Sequence, residues 1–101
     1  MIKHIVTWRL KDTALGQDKA TNAQLLREKL EAMRGQIPAL LHLEAGLDFS
    51  ATANSGDLVL IAEFATREDL AAYQGHPLHR EVVDFIHEIA SERRLVDYET
   101  A

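Results

Sequence analysis

The sequence predicts an α+β domain in which an antiparallel sheet carries its helices on one face. Three patterns predict it. Ile2–Leu10 alternates with a period of two, as a strand with one buried face must. Residues 17–34 and 77–93 each repeat apolar side chains at helical spacing. Two more β-rich runs lie between those helices and a short one follows the second, so the element order is β-α-β-β-α-β. That order is the split βαβ, ferredoxin-like arrangement.

Each element has a local reason. In the first strand Ile2, His4, Val6, Trp8 and Leu10 share one face, and Lys3, Ile5, Thr7 and Arg9 the other. A polar connection, residues 11–16, ends in glycine. The first helix, 17–34, aligns Leu26, Leu30 and Met33 with Leu25 beside them; Gly35 suits its stop, and Pro38 follows. The second strand, 40–50, alternates Leu41, Leu43, Ala45, Leu47 and Phe49 against His42, Glu44, Gly46 and Asp48. Residues 51–56 form a loop whose Asn54-Ser55-Gly56 is turn chemistry. The third strand, 57–65, is apolar on both faces and should be central. Thr66 is a good N-cap for a helix over 66–74, with Asp69 as its acidic capping partner. Gly75 interrupts that helix and Pro77 restarts it at a first-turn position. Leu78, Val82, Phe85, Ile86 and Ile89 make the stripe of the second half, and 94–99 is a final strand.

The chain has 101 residues, which predicts one domain spanning 1–101 with a modest core. With the helices on one side, the other sheet face remains apolar in the first three strands. Left bare it would be a large sticky patch. A second copy of the chain packed through the same sheet face, as a two-fold homodimer, is the expected cover. The net charge of −5 disfavours phosphate backbones, so nucleic acid is not an expected partner. Without cysteine there is no disulfide, thiolate nucleophile or Cys-based metal site. The N-terminus runs straight into strand-like residues and no run approaches about 18 apolar residues. A cytoplasmic protein with no membrane partner is expected.

The residues best suited to chemistry cluster in Tyr73-Gln74-Gly75-His76-Pro77-Leu78-His79. Histidine alone titrates near neutral pH without help, and the chain has five. His87 falls on the polar side of its helix and His42 alternates with acidic residues; neither receives a role. His4 lies on an apolar sheet face and needs a partner when buried. His79 flanks the apolar stripe in the first turn after Pro77, where the helix dipole disfavours imidazolium and favours a neutral base. Tyr73, just before the break, can donate a hydrogen bond to an oxyanion or a histidine. His76 is held extended by Pro77 and would cap or brace the kink. A plainer reading also fits the spacing: a helix break whose polar side chains satisfy freed backbone groups.

Lys3-His4-Ile5-Val6, the Tyr73…His76-Pro77-Leu78-His79 element and Val96-Asp97-Tyr98 together resemble the stress-responsive dimeric α/β-barrel (Dabb) family over essentially the whole chain. The resemblance implies a ferredoxin-like fold whose two sheets close into a barrel across a dimer axis. A characterised plant member closes a linear polyketide by an aldol-type step, and its functional histidine, tyrosine and second histidine match His4, Tyr73 and His79. Many other members are known only as stress-associated proteins.

Three functions follow. The first is a small, cofactor-free enzyme acting on a hydrophobic carbonyl compound, a polyketide-cyclase-like reaction. His79 would be the base, Tyr73 the oxyanion donor and His4 the orienting group. Trp8, Leu26, Leu30, Phe85 and His76 would bind the substrate between sheet and helices. The second is a non-catalytic, stress-associated binding or scaffold protein using the same cavity. The third, a zinc site of His4, His76 and His79, lacks a matched carboxylate motif, so no metal is expected. Haem would need a histidine at an open pocket, and the sequence gives no positive sign for it.

Overall fold

The computed structural model describes all residues, Met1–Ala101. Strand β1 (Ile2–Leu10) is followed by β2 (Thr13–Ala14) and β3 (Gln17–Asp18), helix α1 (Lys19–Glu31), strands β4 (His42–Leu47) and β5 (Leu58–Phe64), helices α2 (Arg67–Gly75) and α3 (Pro77–Ile89), and strand β6 (Ala90–Glu99). The main sheet has the order β4-β5-β1-β6 with every pairing antiparallel. This is the ferredoxin-like arrangement expected from the element order.

β1 sets the register of the rest. His4 lies opposite Ala62 of β5 and Asp97 of β6, while Trp8 lies opposite Leu58 and Arg93. Its alternation holds: Ile2, His4, Val6, Trp8 and Leu10 are all buried toward the helices. Leu58, Leu60, Ala62 and Phe64 face the same way from β5. Leu26 and Leu30 of α1, Leu70 and Tyr73 of α2, and Val82, Ile86 and Ile89 of α3 close over them. The far end of β1 is pinned by Asp57, whose carboxylate accepts from the Leu10 amide at 2.7 Å.

Several boundaries differ from the sequence reading, each for a tertiary reason. The connection after β1 contains a two-residue hairpin between β2 and β3, with Leu15 and Gly16 at φ 53° and 73°. Positive φ at both central residues matches the right-handed twist of the flanking strands. Asp18 then caps α1 by accepting from the Thr21 amide at 2.8 Å, so the helix begins at Lys19. It ends at Glu31, and turns carry the chain through Met33 to Gly35, whose φ is 79°. β4 is shorter than residues 40–50, because its partner β5 ends the ladder at the Leu47–Leu58 pair. Leu41 and Phe49 therefore lie outside the strand and are exposed. The Asp48 carboxylate accepts from Ser50 Oγ and the Ala51 amide, a local turn that competes with extension.

The largest difference is at the C-terminus. α3 stops at Ile89 rather than 93, and β6 runs the full length of β1 from Ala90. Cross-strand pairing overrides the helical pattern there. The sheet face away from the helices also differs in detail. β4 presents His42, Glu44 and Gly46 on it, so the apolar strip runs instead through Val59 and Ile61, Ile5, and Val96 and Tyr98. A Lys3–Glu63 ion pair flanks that strip.

Candidate functional site

Between β1 and helices α2 and α3 lies a partly enclosed cavity of about 190 Å³. Its walls include Val6, Trp8 and Leu60 of the sheet, Leu30 of α1, and Val82, Val83 and Ile86 of α3; its polar lining is His4, Tyr73, Gln74, His79, His87 and Arg93. The α3 residues are spaced as one helical stripe, so a single face of that helix forms a wall.

The local fold places each polar group. α2 ends at Gly75, and His76 is at once its C-cap and the N-cap of α3, with its ring Nδ1 accepting from the Leu78 amide at 3.1 Å. Pro77 occupies the first turn of α3, where its missing N–H has no partner to lose. The sharp joint turns His79 back toward Tyr73, and their ring centroids are 4.5 Å apart. His79 Nδ1 donates to the Gln74 carbonyl at 3.0 Å; a carbonyl only accepts, so the proton sits on Nδ1 and leaves Nε2 as the free ring nitrogen. Burial first, and then the neighbouring His4 ring and the Arg93 guanidinium, push its pKa below the ordinary value of 6.5, against the opposing pull of the Gln74 hydrogen bond.

Tyr73 is wholly buried between the two histidines and Phe64, with centroid distances of 6.1 Å to His4 and 5.0 Å to Phe64. Its hydroxyl has no hydrogen-bond partner, and neither does the indole Nε1 of Trp8. Burial pushes the Tyr73 pKa up, which keeps the group an O–H donor. His4 is buried too, and its Nδ1 meets Asp97 Oδ1 at 2.5 Å. The carboxylate fixes the ring through Nδ1 and leaves Nε2 as the nitrogen turned away from it.

The structure thus brings His4, Tyr73 and His79 to one cavity with Trp8 and Leu30. The other expected binding residues lie elsewhere. Leu26 is fully buried in the core beneath, Phe85 lies on another side of α3 with the Lys29 ammonium 4.9 Å from its ring, and His76 is spent on the helix joint. No group of three His, Asp or Glu side chains is gathered in a metal-binding cluster. His87, read as a solvated residue, is exposed but reaches the cavity edge.

Asp97, Gln74 and Arg93 were given no role from sequence. Asp97 could have been found from strand pairing: once β6 is laid against β1, the residue opposite His4 is Asp97. Gln74 acts through its backbone and leaves no side-chain signal.

The chain matches the family described as Stress responsive A/B Barrel Domain over residues 2–100, and it belongs to that family. At 28% identity it superposes on a dimeric protein of unknown function and ferredoxin-like fold from Bacteroides fragilis with TM-score 0.86, covering 98% of this chain and 95% of that one. A dimeric ferredoxin-like protein from Thermobifida fusca is 25% identical with TM-score 0.85, covering 98% and 90%. The hydroxynitrile lyase of Passiflora edulis shares the fold at 15% identity and TM-score 0.79, covering 99% and 93%. No curated protein matches the sequence.

The lowered His79 pKa carries a consequence for stability. The unfolded chain takes up a proton near 6.5 that folded His79 resists. The contribution is therefore complete above that pH and is lost as pH falls toward the lowered folded value. In urea unfolding from about pH 7 to about pH 5, His79→Asn should flatten the decline in stability. An identical slope in wild type and variant would contradict it.

Proposed function

We propose that this chain is a cofactor-free acid–base catalyst for a small hydrophobic carbonyl compound bound in the cavity beneath β1. The carrying observation is the buried Tyr73 hydroxyl without a partner, flanked by two histidines whose Nδ1 atoms are already engaged. A buried unsatisfied polar group costs about 1–3 kcal/mol, and a catalytic role is one of the few reasons a native protein keeps one. A ligand carbonyl oxygen would supply the missing acceptor.

In this reading His79 Nε2 takes the proton from the carbon beside the carbonyl. The electrons move onto the carbonyl oxygen, and Tyr73 O–H donates to that enolate. His4, positioned by Asp97 through Nδ1, orients the reacting group with Nε2. The lowered His79 pKa keeps the base unprotonated at neutral pH. No redox step or external oxidant is involved. The Passiflora edulis lyase illustrates that an enzyme can be built on this fold.

A homodimer fits the same reading. The Bacteroides fragilis and Thermobifida fusca neighbours are described as dimeric, and the Val59, Ile61, Ile5, Val96 strip gives a second copy an apolar face to cover. Val96, 60% exposed in the single chain, would be buried there. Val96→Asp should shift sedimentation from dimer to monomer; an unchanged dimer would place the interface elsewhere.

The chemistry is tested by deuterium incorporation into the methyl group of acetophenone in D₂O, followed by proton NMR. Wild type should accelerate exchange, and His79→Ala should abolish the acceleration. Tyr73→Phe should slow exchange by about tenfold or more while leaving thermal stability equal or higher, because it deletes an unsatisfied buried hydroxyl. A variant that is destabilised yet exchanges like wild type would make the hydroxyl structural. Binding of acetophenone with no exchange would instead favour a non-catalytic binding protein.

A further inference from the structure

Three arginines sit at the end of the sheet where β1 meets β6, and the strand alternation divides them. Arg9 pairs with Glu92 across the ladder, and Glu92 and Arg94 share the face turned away from the helices. There Glu92 lies 4.0 Å from Arg9 and 3.8 Å from Arg94, so the one carboxylate is held between two guanidiniums. Arg9 is further occupied by the carbonyls of Ser55 and Ala53. Arg93 is on the opposite face, across from Trp8, and lines the cavity of His4, Tyr73 and His79. No carboxylate pairs with it, in a chain whose acidic residues outnumber its lysines and arginines by 16 to 11.

From this placement we infer that Arg93 is the anion anchor of the cavity, and that the ligands are small compounds carrying a carboxylate beside their apolar part. The inference rests on the cavity being a ligand site, as proposed above. The guanidinium fork matches a carboxylate with two parallel hydrogen bonds. One arginine balances one negative charge, which favours a carboxylate over a dianionic phosphate. Size sets the apolar part: a cavity of about 150 Å³ accepts a benzene ring, and this one is about 190 Å³. A single ring or a short chain fits inside with its charged end at Arg93. Trp8 Nε1 and Tyr73 O–H, both buried and without partners, remain for a neutral oxygen deeper in the ligand. Recognition and chemistry are then divided. Arg93 selects and orients the acid, and the histidines address the carbonyl.

The cavity carries its own reporter, since Trp8 is the only tryptophan of the chain. Benzoate, the isosteric neutral benzamide, and phenyl phosphate are titrated against full-length protein and followed by Trp8 fluorescence. Wild type should bind benzoate at least about tenfold more tightly than benzamide, the span expected of a charge-assisted hydrogen bond. Arg93→Gln should erase that preference by weakening benzoate binding far more than benzamide binding, and Arg93→Lys should retain part of it. Arg93 is exposed, so its replacement leaves the core intact. Equal binding of benzoate and benzamide to wild type, or an unaltered preference in Arg93→Gln, would overturn the anchor while leaving the cavity as a site. Phenyl phosphate binding more tightly than benzoate would overturn the carboxylate assignment. Failure of all three to bind would overturn both the anchor and the site beneath it.

Discussion

β1 is paired on both sides over almost its whole length, to β5 from Ile2 to Trp8 and to β6 from Ile2 to Leu10. A strand bounded in this way cannot slip by one residue without turning its whole buried set to the other face. The inward positions of His4, Val6 and Trp8 follow from that constraint, and so do the residues opposite them. Asp97 reaches His4, and Arg93 reaches the rim above Trp8, because β6 copies the register of β1. The helices then complete what the sheet begins. Phe64 and Tyr73 pack ring against ring, which sets α2 on the sheet and brings the α2–α3 joint over the cavity.

The polar groups of the site are handled unequally. Each histidine has one ring nitrogen engaged, His4 by a carboxylate and His79 by a backbone carbonyl. Tyr73 has none, although it is the more deeply buried. An arrangement serving stability alone would satisfy the phenol or replace it with phenylalanine, since a wholly buried unsatisfied hydroxyl is a cost to folding. Engaging the Nδ1 atoms has a further effect: it orients two imidazoles whose remaining nitrogens are uncommitted. Positioned donors and bases in a partly enclosed, largely apolar space are what proton transfer beside a carbonyl requires.

Much of this was legible in the sequence, and the misses have physical causes. The alternation of Ile2–Leu10 announced both the strand and the burial of His4, because period-two patterning survives whenever one face is covered. Thr66, Gly75 and Pro77 announced the α2–α3 joint through capping and backbone chemistry, which are local. The roles of Asp97 and Arg93 are not local. They depend on β6 extending back to Ala90, and residues 90–93 read as a continuation of the preceding helix until β1 is there to pair with them. Leu26 and Phe85 were misassigned to the cavity wall for a related reason: an apolar residue on a helix announces burial, but not which side of the core it will meet. The stretch after Leu47 failed as strand because Asp48 supplied a turn where the apolar alternation continued.

The proposed chemistry requires His79 to be held at neutral pH as an uncharged ring with its proton on Nδ1 and a free Nε2. Long-range ¹H–¹⁵N correlation spectra of the histidine side chains measure this directly, because protonated and unprotonated ring nitrogens resonate far apart. His79 should show a protonated Nδ1 and an unprotonated Nε2, with the pattern unchanged until the pH is brought below 6.5. A His79 ring protonated on Nε2, or on both nitrogens at neutral pH, would contradict it.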